Sequence, residues 1–420
     1  MTPPKRICLL TTAHLSNNPR LVKEAEAFQY YGYDVTVIAC HYDSALGESD
    51  RRIMRRAAWS VRMVCWDRIR NPRLFWLSRV RRFGCHCAAS LLRKLGVRRG
   101  LGWLEVRAFD RVLPEIMFEA RKVRADLFVG HNPGLLPITW KIARDCGAKC
   151  GFDAEDFYSG MKRIGERSSL QDRIVADWEN EHLTRYDYLS AAAPLIAREY
   201  MGRFSISFDT VVLNAFKPIR RVERIARIDD STLSLYWISQ TIGAHRGLEN
   251  VVRALGFLKE TPVRVFLRGD WQNGYEARLR MIADDLHVPQ HMIISLPRVA
   301  YDEIVSSAAP YDVGLAIEEP TSRNHELCVP NKMLMYLSAG LAVAATGTPG
   351  QIEVMKKIPG AGFVFPWDDP ESLARNLSVW VENPDLLVKA KAAALRAARE
   401  HFNWAHERTK LRSVVGSLLQ

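Results

Sequence analysis

This sequence predicts two α/β domains in tandem, each a doubly wound parallel sheet with crossover helices. Three observations predict it. Short β-branched runs alternate with helical segments through nearly the whole chain, the pattern of repeated βαβ units. At 420 residues and 48% hydrophobic, the chain is long enough for two ordinary cores. The alternation pauses once, over a polar stretch that leaves Asn214-Ala215-Phe216-Lys217-Pro218 and runs to Ser231, and then begins again.

In the first half, strands are predicted at Ile7 to Thr11 and Val35 to Ala39, with a helix between them that starts at Pro19 and repeats apolar residues at Leu21, Ala25 and Phe28. Further strands follow at Asp126 to Val129, Lys149 to Asp153 and Tyr188 to Ala191, and Val211 to Leu213 closes the domain. In the second half, strands are predicted at Ser234 to Ser239, Val263 to Arg268, Met292 to Ser295, Asp312 to Ile317, Ala342 to Thr346 and Gly362 to Phe365. The domains are therefore drawn as 1–216 and 217–400, with 401–420 as a last helix. Two such domains on one linker place a cleft at the carboxyl ends of both sheets, where ligands of doubly wound folds bind.

No run of eighteen apolar residues occurs and a strand follows Lys5 directly, so neither a membrane span nor a signal peptide is expected and the predicted location is cytoplasmic. The eight cysteines, including Cys85-His86-Cys87 and the Cys146 and Cys150 pair, lack paired Cys-x-x-Cys spacing, so buried thiols are expected and no metal. Net charge is +12, and one segment accounts for it: Arg51 to Arg99 holds fifteen Lys or Arg against Asp67 alone, leaving 44 basic against 46 acidic residues elsewhere. Within the segment, Asn71 is placed as an N-cap and Pro72 as a first helical residue. Apolar residues then recur at Leu74, Leu77, Val80, Phe83, Cys87, Leu91 and Leu95 until Gly96. Trp59, Trp66 and Trp76 lie in or near that stripe, and Arg73, Arg79, Arg82 and Arg93 fall largely off it. An apolar face with basic flanks and tryptophans has the composition of a helix lying on an anionic membrane. The competing reading packs the stripe on the domain core. Nucleic acid is not expected, since no helix-turn-helix, zinc-finger or RNA-binding aromatic pattern accompanies the charge.

The segment richest in chemistry is Val329-Pro330-Asn331-Lys332-Met333-Leu334-Met335-Tyr336-Leu337-Ser338-Ala339-Gly340, followed by a small buried strand and Gly347-Thr348-Pro349-Gly350. A Pro-Asn turn opening a helix leaves the first N–H groups unpaired, and Lys332 adds its charge to the positive end of the helix dipole. Here the chain resembles the retaining GT-B glycosyltransferases of family four. The resemblance extends to Asn17-Asn18-Pro19-Arg20-Leu21-Val22-Lys23-Glu24-Ala25, Gly32-Tyr33-Asp34-Val35, Val212-Leu213-Asn214 and Arg246-Gly247-Leu248-Glu249. It covers most of the chain, with about 51–104 as the main exception, and implies that the last helix, 401–420, returns to the first domain, a plain carboxyl-terminal helical cap being the alternative.

The resemblance implies a GT-B fold and transfer of a sugar from a nucleoside diphosphate sugar, with retention and without a metal or other cofactor. It implies that Arg246 and Lys332 meet the diphosphate, with Asn331, Gly347 and Gly350 on the donor side. His131, at the carboxyl end of a strand in His131-Asn132-Pro133-Gly134, would bond a sugar hydroxyl. Asp153-Ala154-Glu155 resembles an Asp-Ala-His segment with Glu155 in the His position, and with Asn17 and Asn18 it is assigned to the acceptor side. Helix capping is the alternative for the two asparagines. Where many relatives carry two Glu residues, this chain has Leu327 and Met335, and Glu319 or Glu326 is the candidate replacement for the first. The basic segment is expected to hold such an enzyme on the inner face of the membrane, and the acceptor expected there is a lipid-linked saccharide in cell-surface polysaccharide synthesis. A soluble transferase with a small or glycan acceptor and a catalytically silent GT-B subunit are the rivals.

Overall fold

The computed structural model describes residues 3–97, 100–220 and 231–420. Most of the polar stretch expected to link the domains, and Arg98 and Arg99 of the basic segment, lie outside the described residues. The chain divides into two compact units, Met1–Val212 with Arg408–Gln420, and Leu213–Glu407.

The first unit is a seven-stranded parallel sheet of β1 (Arg6–Leu10), β2 (Asp34–His41), β3 (Ser60–Cys65), β4 (Leu127–His131), β5 (Lys149–Ala154), β6 (Tyr188–Ala191) and β7 (Thr210–Val211). Its order is β3-β2-β1-β4-β5-β6-β7. The second unit holds β8 (Leu233–Ile242), β9 (Val263–Trp271), β10 (Ile293–Leu296), β11 (Val313–Ala316), β12 (Ala342–Thr346) and β13 (Gly362–Phe365), ordered β10-β9-β8-β11-β12-β13. Each sheet therefore reverses winding once, between β1 and β4 and between β8 and β11. The central strands are buried on both faces, as a sheet covered by crossover helices requires.

The predicted strands are all present, with two corrections. The closing strand is only Thr210–Val211, and Leu213 lies beyond it. More substantially, the basic segment contributes an edge strand, β3, pairing with β2 from Thr36↔Ser60 to His41↔Cys65. Its arginine and half-exposed side chains hide the β pattern, because an edge strand buries little of itself.

After β3 comes the predicted helix, Pro72–Lys94, capped by Asn71 Oδ1 accepting from Leu74 N–H at 3.2 Å. Its apolar face points away from the unit. Arg81 turns toward the unit and forms a two-pronged bond to Glu115 at 2.8 and 2.7 Å, and Arg93 bonds Glu105 at 2.8 Å and Asp177 at 2.7 Å. The apolar stripe of Leu77, Val80, Phe83, Leu91 and Leu95 faces outward, with Val80 68% and Phe83 71% exposed. The alternative of a stripe packed on the core is thereby excluded. Among the described residues, no helix is long and apolar enough to cross a membrane.

Candidate active site

The loops leaving β8 and β11, where the second sheet reverses, gather the charged side chains of the second unit. After β8 the chain turns at Gly247, with φ +76°, and enters the helix Leu248–Phe257. A Cβ on Gly247 would stand 2.4 Å from Ile317 O, so only glycine allows the two loops to touch. Its N–H donates to Glu319 Oε1 at 3.1 Å. After β11, Glu318 Oε1 lies 2.6 Å from Lys332 Nζ, which itself sits 4.8 Å from the centre of the Trp237 ring. Burial alone would raise the Glu318 carboxyl; Lys332 beside it, and Arg246 and His325 through their charges, hold it below the ordinary value. Glu318 and Lys332 thus form a nearly buried ion pair, and Arg246 is half-buried and pairs with no carboxylate among the described residues.

Three helices begin beside this charge cluster's loops without a side-chain cap: Leu248–Phe257, Asn331–Ala339 and Pro349–Lys357. Their first N–H groups and dipole ends suit an anion. Asn331 is exposed at the start of the second of these helices, which ends as predicted at Gly340 with φ +75°. In the glycine-rich turn, Gly347 N–H donates to Phe365 O and Thr348 N–H to Thr346 O, each at 2.8 Å, so neither is left for a ligand. Gly350 has a packing role: a Cβ there would stand 2.1 Å from Cys328 O. Glu326 is held by Arg323 at 2.8 Å. Leu327 and Met335 are both buried.

The first unit holds a second cluster, at the carboxyl ends of β4 and β5. His131 is fully buried, with Nε2 2.8 Å from Glu24 and Nδ1 3.0 Å from Glu155 and 3.5 Å from Asp153. Burial would lower the imidazole's pKa, yet Glu24, Glu155 and Asp153 push it up to about 10, so His131 is a cation at neutral pH. Arg20 adds a second cation, bonding Asp153 at 2.5 and 2.8 Å and Val212 O at 2.5 Å, and Ser190 Oγ donates to Asp153 at 2.6 Å. Asp153 is held below its usual range against its burial by Arg20 and His131, whereas burial raises Glu24 despite His131. Asn132 bridges the cluster to β1: its Nδ2 donates to Glu155 at 3.3 Å and its Oδ1 accepts from Thr11 Oγ1 at 2.8 Å, with backbone at φ +80°.

Asn18 is the N-cap of the helix Pro19–Tyr30, accepting from Leu21 N–H at 3.0 Å, which realises the capping alternative; Asn17 beside it is exposed. The loop carrying them is fixed by a buried pair. His14 Nε2 accepts from the N–H groups of Tyr42 and Asp43 at 3.0 Å, so Nδ1 carries the proton and donates to Asp50 at 2.6 Å, while Asp50 also accepts from Ser16 N–H at 2.9 Å. Among the described residues, two groups have ligand atoms close enough for a metal, His14 with His41 and Asp50, and Glu24 with His131 and Asp153. The second is a poor host, because a cation there would join the charges of Arg20 and His131.

Sequence reasoning missed Glu318, Arg20 and Glu24 as site members. Arg20 and Glu24 stand in a quoted motif, but nothing in a sequence shows that a helix buries them against a strand end.

No protein-family model matches this chain, and no curated protein sequence matches it. Solved structures do. The HepE protein of Anabaena in complex with UDP superposes with a TM-score of 0.70 at 13% identity, over 98% of this chain and 100% of that one. Sucrose-phosphate synthase from Thermosynechococcus elongatus gives 0.73 at 10%, over 99% of each chain. A glycosyltransferase from Rickettsia africae gives 0.67 at 13%, again over 99% of each. At such identities the likeness is one of architecture, and with the two sheets and their strand orders it establishes that this chain has the GT-B glycosyltransferase fold.

Proposed function

We propose that this protein is a retaining, metal-independent glycosyltransferase, working at the inner face of a membrane on a lipid-linked saccharide. The donor would be a nucleoside diphosphate sugar, the setting cell-surface polysaccharide synthesis. One observation carries the reading: Arg246 and Lys332 stand with three uncapped helix starts around the winding reversal of the second sheet. Breaking the bond from the anomeric carbon to the diphosphate oxygen leaves negative charge on the diphosphate. Fixed cations and N–H groups stabilise that charge without reorganising. Glu318, kept ionised by Lys332, is suited to accept from hydroxyl groups of the donor sugar. In the first unit, His131 is a fixed cation whose surrounding carboxylates, with Glu155 partly exposed, suit the hydroxyls of a sugar or acceptor. HepE was solved with UDP and with UDP-glucose, which makes uridine diphosphate sugars the first donors to try. The outward apolar row on Pro72–Lys94, amid the basic segment, supports the membrane setting.

The test is a panel of nucleotide sugars, read by hydrolysis and by calorimetric nucleotide binding, with a chelator present throughout. Binding and slow hydrolysis in the chelator support the reading. Loss of activity in chelator that magnesium restores would reject the metal-independent mechanism. A well-folded protein that binds no nucleotide would favour the silent subunit, the rival that Leu327 and Met335 in place of glutamates permit.

A further inference from the structure

Beside the outward apolar row lies a groove of about 640 Å³ lined by three guanidinium groups, those of Arg79, Arg82 and Arg111, with His86, Trp76 and Phe83. Its cations are placed by the fold. The Arg111 side chain is sandwiched between Trp66 and Phe75, 4.3 and 4.4 Å from their ring centres, and donates to Phe75 O. Arg82 Nε donates to Phe109 O at 3.3 Å, and Arg79 lies 5.7 Å from the Trp76 ring centre. No carboxylate pairs with any of the three among the described residues, in contrast to Arg81 and Arg93 on the same helix. Burial and the charges of Arg79 and Arg82 lower the Arg111 pKa, and the charge of the neighbouring Asp110 offsets this only in part.

We propose that this groove binds the phosphate or diphosphate headgroup of a membrane lipid, whose chains lie along Leu77, Val80 and Phe83. The inference rests on the membrane reading above and deepens it, by naming the class of lipid headgroup that the membrane-facing side engages. A cationic floor beside an apolar row fits a molecule that is both anionic and hydrophobic, which a free nucleotide, an acidic peptide or a nucleic acid is not. Trp66, stacked on Arg111, directly follows β3, so the groove opens toward the carboxyl end of the first sheet, where β4 and β5 lead to His131 and Glu155. Several guanidinium groups meeting one phosphate favour the doubly charged phosphomonoester over a phosphodiester.

The test compares the full chain with Arg79→Lys/Arg82→Lys, which keeps the charge and removes the forked geometry. Both are titrated with phosphatidylcholine vesicles doped with phosphatidic acid or with phosphatidylglycerol at matched surface potential. The expected result is a preference of about fivefold or more for phosphatidic acid, lost in the double variant, with phosphatidylglycerol binding changed by less than about twofold. Equal, salt-sensitive binding to both lipids would overturn the headgroup site and leave the membrane reading standing. No binding to any vesicle overturns both. Inorganic diphosphate that binds the wild type but not the double variant, with no lipid preference in either, would assign the groove to a soluble anion and overturn the lipid.

Discussion

Lys332 does not stand alone at its helix start, and this alters what its removal does. Its charge is shared with Glu318 in a pair largely shielded from water. Lys332→Ala therefore leaves a buried carboxylate without its cation, costing about 3 kcal/mol of stability or more as well as activity. Adding Glu318→Gln should return most of the melting temperature and none of the turnover. Thermal melts and steady-state kinetics on the three proteins check both halves; recovered turnover in the double variant would mean that Lys332 serves only to neutralise Glu318. His131 is the second residue-scale test. Its folded pKa, about 10, lies above the ordinary histidine value, so its contribution is complete below about pH 6.5 and fades as pH rises through about 10. The wild type should lose melting temperature over that window more steeply than His131→Gln, which has no such proton to release. Lys332 and His131 were legible in the sequence as a Lys at a helix mouth and a His at a strand end. Their partners were not, since register in the loop 318–328 and the burial of Glu24 are settled only by packing.

At the scale of elements, punctuation was readable and orientation was not. Asn71, Pro72 and Gly96 mark both ends of the helix Pro72–Lys94, and Gly340 the end of Asn331–Ala339. Periodicity located the apolar stripe of the first of these helices, but a stripe alone does not say whether it faces a core or a lipid. The answer lies in Arg81 and Arg93, whose carboxylate partners Glu115 and Glu105 come from later helices. Strand β3 escaped notice for a related reason: an edge strand needs apolar residues on little of its surface. If the stripe enters a bilayer, Leu77→Asp/Phe83→Asp should weaken vesicle binding by about a hundredfold or more, since each buried large apolar side chain contributes about 1.5–3 kcal/mol. Circular dichroism should be unchanged, because both side chains point away from the unit. Unaltered sedimentation with vesicles would put the membrane contact elsewhere.

For the molecule as a whole, the alternation of strands and helices was enough to predict two sheets, and their common strand order explains why one pattern served for both. The segment Arg408–Gln420 clusters with the first unit, with Leu411, Val415 and Leu419 buried, Lys410 Nζ donating to Val211 O at 3.1 Å, and Arg408 over the Tyr30 ring. Deleting 408–420 should cost that unit about 5 kcal/mol, the burial of three aliphatic side chains, and lower the first thermal transition while nucleotide binding by the second unit survives. A deletion that melts like the full chain would show the segment to be dispensable.

The inside-out helix also governs how the protein behaves when no bilayer is present. Five large apolar side chains in a row, bordered by arginines, are then wetted at a standing cost, and the nearest surface able to cover them is the same row on another copy. Purified in plain buffer, the protein should reversibly pair through this face, more so at high salt, where the arginines repel less. A mild detergent should return it to single chains. Oligomers seen in solution would then mark the lipid-facing side of the molecule rather than a working assembly.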